Sequence, residues 1–355
     1  MAGRGVDQIL PHPSDPILYE PFVSSAATYV ELAEQANGPI PRPSDFSYVW
    51  GDALAELATR APDLRIVNLE TSITRSEEAE PKGINYRMHP KNVRCLTAAD
   101  IDCCVLDNNH VLDWGPEGLI ETVAVLRNSG IAVAGAGRDA EEACGPAALS
   151  VEGRSRVLVF GLASPTSGVP RHWAATENRA GVCFLPDLAD ETAEEVARRI
   201  HAHARERDVV VVSIHWGGNW GYEVPRRQRE FAHRLIESGT VDVIHGHSSH
   251  HPKGIECYRG RLILYGSGDF INDYEGISGY EEFRGDLAIA YFVTLAAATG
   301  RLVHLAMVPF VTRRFRLQRA SKEDVEWLRE VLGREGRALG TGVGLGPEGE
   351  LELVC

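Results

Sequence analysis

A layered α/β fold is predicted by three features of the sequence. Short β-branched runs alternate with amphipathic stretches of helical spacing. Several runs are apolar throughout, as in Val209-Val210-Val211-Val212, which is the pattern of strands buried on both faces. Proline opens and glycine closes the intervening stretches, at Pro116 and Gly130 and again at Pro225 and Gly239, where helix ends favour those residues. Alternation of this kind builds stacked layers of sheet and helix.

Taken in order, the first 50 residues are irregular. Pro11, Pro13, Pro16, Pro21, Pro39, Pro41 and Pro43 break them into turns around one helix, 24–36. The spacing then predicts strands over 64–70, 103–109, 131–137, 156–163, 209–217, 241–247 and 262–270. Helices are predicted over 116–129, 190–208 and 225–238. Two later runs, 287–295 and 302–310, are joined by Ala-Thr-Gly-Arg and read as a hairpin. A mixed sheet or a two-sheet sandwich follows rather than a wholly parallel one. Ser321 caps a helix over 322–337, and glycine-rich loops lead to 350–355. The expectation is one domain over 1–310, with 311–355 a C-terminal helical appendage of it.

Net charge is −14. A surface that acidic repels phosphate backbones, which argues against nucleic acid and anionic membrane as partners. No run of about 18 apolar residues predicts a membrane span, and residues 1–30 carry no signal-peptide pattern. The seven cysteines are scattered, with no CxxC pair. They read as reduced, mostly buried thiols, and a cytoplasmic location is expected.

Ligands of open α/β sheets gather beyond the carboxyl ends of the strands. Four such ends carry polar residues. Glu70 closes the run Ile66-Val67-Asn68-Leu69, although a terminal carboxylate is often only solvated. Asp107-Asn108-Asn109-His110 follows a buried run. Asn offers a carbonyl oxygen to a hard cation, and His a ring nitrogen or a proton. An Asx-rich turn is the plainer alternative. His215 ends the strongest apolar run and precedes Trp216-Gly217-Gly218. The last end, His245-Gly246-His247-Ser248-Ser249-His250-His251, holds four of the chain's 13 histidines. Mixed oxygen and nitrogen donors suit Mn²⁺, Fe²⁺ or Zn²⁺, as one ion or two. Such a site would activate water and polarise a phosphoryl or acyl oxygen. Arg87, in Tyr86-Arg87-Met88-His89, is a candidate clamp for a substrate carboxylate or phosphate. Asn108 and Trp216 are further candidate substrate contacts.

Asn68-Leu69-Glu70-Thr71, Asn108-Asn109-His110, Asp113-Trp114-Gly115, Gly135-Ala136-Gly137, His215-Trp216-Gly217 and Gly246-His247-Ser248-Ser249-His250 occur in that order. Together they resemble the CapA family of bacterial capsule-synthesis, or poly-γ-glutamate biosynthesis, proteins, over roughly residues 1–310. That family is similar to the calcineurin-like metallophosphoesterases. The resemblance implies a four-layer α/β/β/α sandwich with Glu70 as a metal-bridging acid. It implies Asn109, His215, His247 and His250 as further metal ligands, His110 as the acid–base residue, and His245 and His251 behind them. The family opens with a strand ending Gly-Asp-x-Met, with which Met1 aligns, so the first strand and its Asp are expected to be missing here. Gly51-Asp52 mimics that motif but leads into a helix, 53–59. Asp269 stands where the family tends to have Asn, which adds charge near the site.

The leading expectation is therefore a metal-dependent hydrolase or transferase of the metallophosphoesterase type, acting on a small-molecule or γ-glutamyl substrate. The alternatives are an accessory protein in poly-γ-glutamate capsule biosynthesis and a non-catalytic metal-binding relative. The sequence leaves the oligomeric state open.

Overall fold

A computed structural model describes residues 1–152 and 156–355. Parallel pairing of short apolar strands dominates its first two sheets, in a mixed α/β architecture. The first sheet has the order Ile66–Asn68, Cys103–Val105, Ala132–Ala134, all parallel. The second has six strands, in the order Ile255–Tyr258, Arg261–Leu264, Val243–His247, Val209–His215, Arg156–Ala163, Ala147–Ser150. Its four inner strands are parallel and its two edges antiparallel.

The expected hairpin is present: Leu287–Leu295 pairs antiparallel with Leu302–Arg313. It anchors a third, antiparallel sheet. Arg316–Arg319, Gly342–Leu345 and Leu351–Val354 complete that sheet. Residues 311–355 thus contribute three strands as well as the helix Lys322–Gly336. Ser321 opens that helix with a capping box, its hydroxyl and the Asp324 side chain each taking the other's backbone N–H.

Alternation along Val209–His215 divides the core. Val210, Val212 and Ile214 pack with Val196, Ile200, Phe231 and Leu235 of the helices Asp190–His203 and Arg226–Glu237. Val211 faces the other way, into a cluster with Cys103, Val105, Leu287, Met307 and Leu351. One strand therefore ties a helical layer to the antiparallel sheet, as period-two side-chain direction requires.

The two parallel sheets touch at glycines. A Cβ on Gly161 would lie 2.6 Å from Gly135 Cα and 2.7 Å from Asp107 Oδ1. Gly135 itself has φ +85°, a conformation glycine adopts without strain. The Gly-Ala-Gly motif at 135–137 thus serves a close approach of backbone to backbone.

The N-terminal segment folds against the loop after the second sheet. Arg4 is buried and binds Asp273 through two hydrogen bonds, 2.8 and 2.7 Å, and Glu20 at 2.8 Å. Its guanidinium lies 3.6 Å from the Tyr29 ring centroid. Removing one partner of a buried pair like this leaves a charge uncompensated and costs about 3–5 kcal/mol.

Two expectations are corrected. Strands predicted over 103–109 and 262–270 end at Val105 and Leu264, because beyond them the backbone leaves the ladder: Asn108 N–H turns back to the Leu106 carbonyl and Ser267 N–H goes to the Gly246 carbonyl. The reduced-thiol reading also fails: Cys144 and Cys183 form a disulfide, Cα atoms 4.8 Å apart and 39 residues apart in sequence. The fold sets the helix Ala140–Cys144 beside the strand Gly181–Val182, a neighbourhood that spacing alone conceals. Among the described residues no helix is long and apolar enough to cross a membrane.

Candidate metal centre

The strands Ile66–Asn68, Cys103–Val105, Val209–His215 and Val243–His247 end on one edge. Parallel pairing, with Asn68 opposite Val105 and His215 opposite His247, puts carboxyl ends side by side within each sheet, and a contact between His215 and Asn109 joins the two sets. Register carries His215 and His247 there, while Glu70 and Asn109 lie in the loops just past Asn68 and Val105.

Glu70 is buried, and one oxygen accepts from Asn68 Nδ2 at 3.0 Å. Burial pushes its carboxyl up. The imidazoles of His215, His110 and His250 more than offset this, so its pKa falls below the ordinary carboxylate value. No salt bridge to Lys or Arg reaches Glu70 among the described residues.

His215 Nδ1 faces His247 Nδ1 at 2.8 Å, and His215 Nε2 lies 3.2 Å from Asn109 Oδ1. The second contact joins the two parallel sheets. His247 Nε2 and His245 Nδ1 each lie 2.9 Å from Ser213 Oγ. Burial pushes the pKa of His215 down to about 4 despite Glu70, and of His245 to about 4. His247 also falls far, through burial and then through its two imidazole neighbours. These rings are neutral near pH 7, the state in which imidazole binds a metal.

His250 behaves oppositely. Burial lowers its pKa, but Asp269, with Oδ1 3.2 Å from its Nδ1, raises it above the ordinary value. The charge expected from Asp269 thus becomes a buried ion pair with His250.

His110 is held by a different carboxylate. Its Nδ1 lies 2.7 Å from Asp113 Oδ2, the Tyr86 backbone N–H donates to the same oxygen at 2.6 Å, and Lys82 Nζ donates to Oδ1 at 2.7 Å. Tyr86 meets the ring edge-on with centroids 4.5 Å apart. With Nδ1–H donating to Asp113, Nε2 is the nitrogen left to accept a proton or a ligand. It has no hydrogen-bond partner among the described residues. Burial lowers the pKa of His110.

The remaining expected residues have structural contacts. Asn108 Nδ2 donates to Asn68 Oδ1 and to the Leu69 carbonyl, both at 2.9 Å, tying two strand ends together. Trp216 is 2% exposed and donates to the Tyr265 carbonyl at 3.0 Å. Arg87 donates to the Ser76 and Asp15 carbonyls and stacks 3.9 Å over Trp114. Among the described residues no hydrogen bond joins its guanidinium to Glu70 or the site histidines. His251 is 0% exposed and packs against Phe283 and Tyr222.

In chemistry, a buried carboxylate, an amide oxygen and neutral imidazoles fit a divalent cation such as Mn²⁺, Fe²⁺ or Zn²⁺. In position they stand closer than ligands: His215 and His247 hydrogen-bond to each other. Among the described residues no three His, Cys, Asp or Glu side chains converge at ligand geometry. The signal for Asp113 was in the sequence, three residues after His110. For Lys82 there was none.

The family model described as bacterial capsule synthesis protein PGA_cap matches residues 1–274. The chain is 48% identical to a probable polyglutamine synthesis accessory protein of Mycobacterium tuberculosis, over 100% of this chain and 93% of that one. It is 29% identical to the PGA biosynthesis protein CapA of Bacillus subtilis, over 81% of this chain and 70% of the relative. It is 24% identical to the capsule biosynthesis protein CapA of Bacillus anthracis, over 54% of this chain and 45% of the relative.

Proposed function

Because the chain belongs to the PGA_cap family of bacterial capsule synthesis proteins, we propose that it is an accessory protein in the assembly of a glutamyl polymer. The carrying observation is the 48% identity, over the whole chain, to a relative named for an accessory role in polyglutamine synthesis. The working site in this reading is the cluster of Glu70, Asn109, His215, His247 and His250. The reading is tested in cells that make such a polymer and lack this gene. Polymer yield should fall, return with the intact gene, and not return with Glu70→Ala. Full yield without the gene would sink the reading.

A second reading is favoured by the His110–Asp113 pair. In it the protein is a metal-dependent hydrolase or transferase with the four-layer sandwich of the metallophosphoesterases, acting at a phosphoryl or acyl centre. A divalent ion held by Glu70, Asn109, His215 and His247 would supply Lewis acidity. Asp113 fixes the tautomer of His110, and His110 Nε2 takes or gives the proton at the reacting group. Asn108 holds two strand ends in register so that Asn109 and Glu70 stay together. The test is elemental analysis of purified protein and turnover of p-nitrophenyl phosphate with added Mn²⁺. Neither bound metal nor turnover would leave the accessory reading alone.

A further inference from the structure

Lys82 lies in a strap, residues 77–83, that also carries Glu77, Glu78 and Glu80. A lysine in so acidic a stretch is ordinarily solvated or paired with its neighbours. This one turns inward. Its chain is 25% exposed, and Nζ donates 2.7 Å to Asp113 Oδ1, a carboxylate that is fully buried. The same Nζ donates to the backbone carbonyl of Asn109. The Trp173 ring lies beneath it, centroid 5.3 Å away. One further bond joins strap to loop, Glu80 N–H donating to the Asp113 carbonyl at 2.9 Å, and just past the strap Asn85 Nδ2 donates to the same carbonyl at 3.1 Å.

Both acceptors of Lys82 lie on the loop that presents the site, as does His110, whose Nδ1 is 3.3 Å from the same Nζ. Asn109 directs Oδ1 at His215 Nε2, 3.2 Å away, while Asp113 holds His110. A carbonyl at one end of the loop and a carboxylate at the other thus share one ammonium. We propose that Lys82 is a positioning residue. It clamps residues 109–113 so that Asn109 faces His215 and His110 keeps its bond to Asp113. The strap is thereby part of the site's support, although its sequence has no motif character. The consequence for metal affinity rests on the metal-centre reading above; the clamp itself does not.

The test compares wild type, Lys82→Met and Lys82→Arg by two readouts. The first is backbone amide hydrogen exchange of the metal-free protein. Lys82→Met should exchange residues 109–113 about tenfold faster, with the strands unchanged, and Lys82→Arg should restore most of the protection. The second is Mn²⁺ affinity by calorimetry. Supporting groups of this kind contribute about 10-fold or more to metal affinity, so Lys82→Met should bind correspondingly weaker and Lys82→Arg should recover. Unchanged exchange at 109–113 overturns the clamp, as does faster exchange spread over the whole chain. Wild type that binds no Mn²⁺ overturns the metal reading instead, and local exchange still decides the clamp.

Discussion

His110 Nδ1 stands 2.7 Å from Oδ2 of Asp113, a carboxylate with no solvent exposure. In the metal-dependent reading, that contact determines which ring nitrogen can act. Asp113→Asn keeps the shape but can present an amide N–H to the ring, which favours the wrong tautomer. Turnover of p-nitrophenyl phosphate should fall by about 100-fold or more, with the circular dichroism spectrum retained. Full turnover in the variant would remove His110 from the chemistry.

The parts of the fold that could be read from sequence are those whose own residues decide them. Arg156–Ala163 has the bounds that the sequence predicts, because every residue after Arg156 in it is apolar or small, as burial on both faces requires. Ala147–Ser150 and Gly342–Leu345 were not foreseen. They are edge strands, half exposed or glycine-rich, and their neighbours impose their shape. The site divides the same way. His215 and His247 end apolar strands and are brought together by register, and Asn109 reaches them from the loop after Val105. Arg87, a candidate substrate clamp in the sequence, lies over Trp114 and donates to two carbonyls, contacts that its own residues do not announce. Lys82 could not be read at all, because its role depends on a strap without periodicity folding over a distant loop.

Acid should destabilise the protein through its buried histidines. His215, His245 and His251 each have a pKa pushed down by burial from 6.5 to about 4. Between those values the unfolded chain binds protons that the folded chain refuses. Stability therefore falls as pH drops from 6.5 toward 4. His250 opposes this: its raised pKa contributes stability below 6.5 that is lost as pH rises through the folded value. His247 and His110, also pushed down by burial, act with the first three, so Tm at pH 5 should lie below Tm at pH 7 by on the order of 5 °C. His245→Gln should reduce that difference. A Tm flat from pH 7 to 5 would contradict the burial of these rings.

The Cys144–Cys183 disulfide should be countable. Cys95, Cys103, Cys104, Cys257 and Cys355 are free, so denatured, unreduced protein should titrate as five thiols with Ellman's reagent. After reduction it should titrate as seven, the full cysteine count. The bond closes a loop with a sequence separation of 39, and a cross-link of that span restricts the unfolded chain by about 3–4 kcal/mol. Cys144→Ser with Cys183→Ser should therefore lower the urea midpoint. Seven thiols without reductant would show that the bond does not form.

Two glycines with opposite surroundings separate packing from propensity. Gly161 lies in the seam between the parallel sheets, where a Cβ would meet Gly135 Cα at 2.6 Å and Val105 Cγ1 at 2.8 Å. Backbone cannot yield there without moving the sheets apart, and the His215–Asn109 contact spans that seam. Gly161→Ala should cost about 1–3 kcal/mol and weaken any Mn²⁺ binding as well. Gly333 lies inside the helix Lys322–Gly336, and its Cβ would meet nothing within 4 Å. Gly333→Ala should stabilise by about 0.5–1 kcal/mol, because alanine loses less backbone freedom in a helix. Urea unfolding of both variants checks the pair. If Gly161→Ala is as stable as wild type, the sheets do not meet as closely as the glycine contacts require, and the seam that brings Asn109 to His215 loses its support.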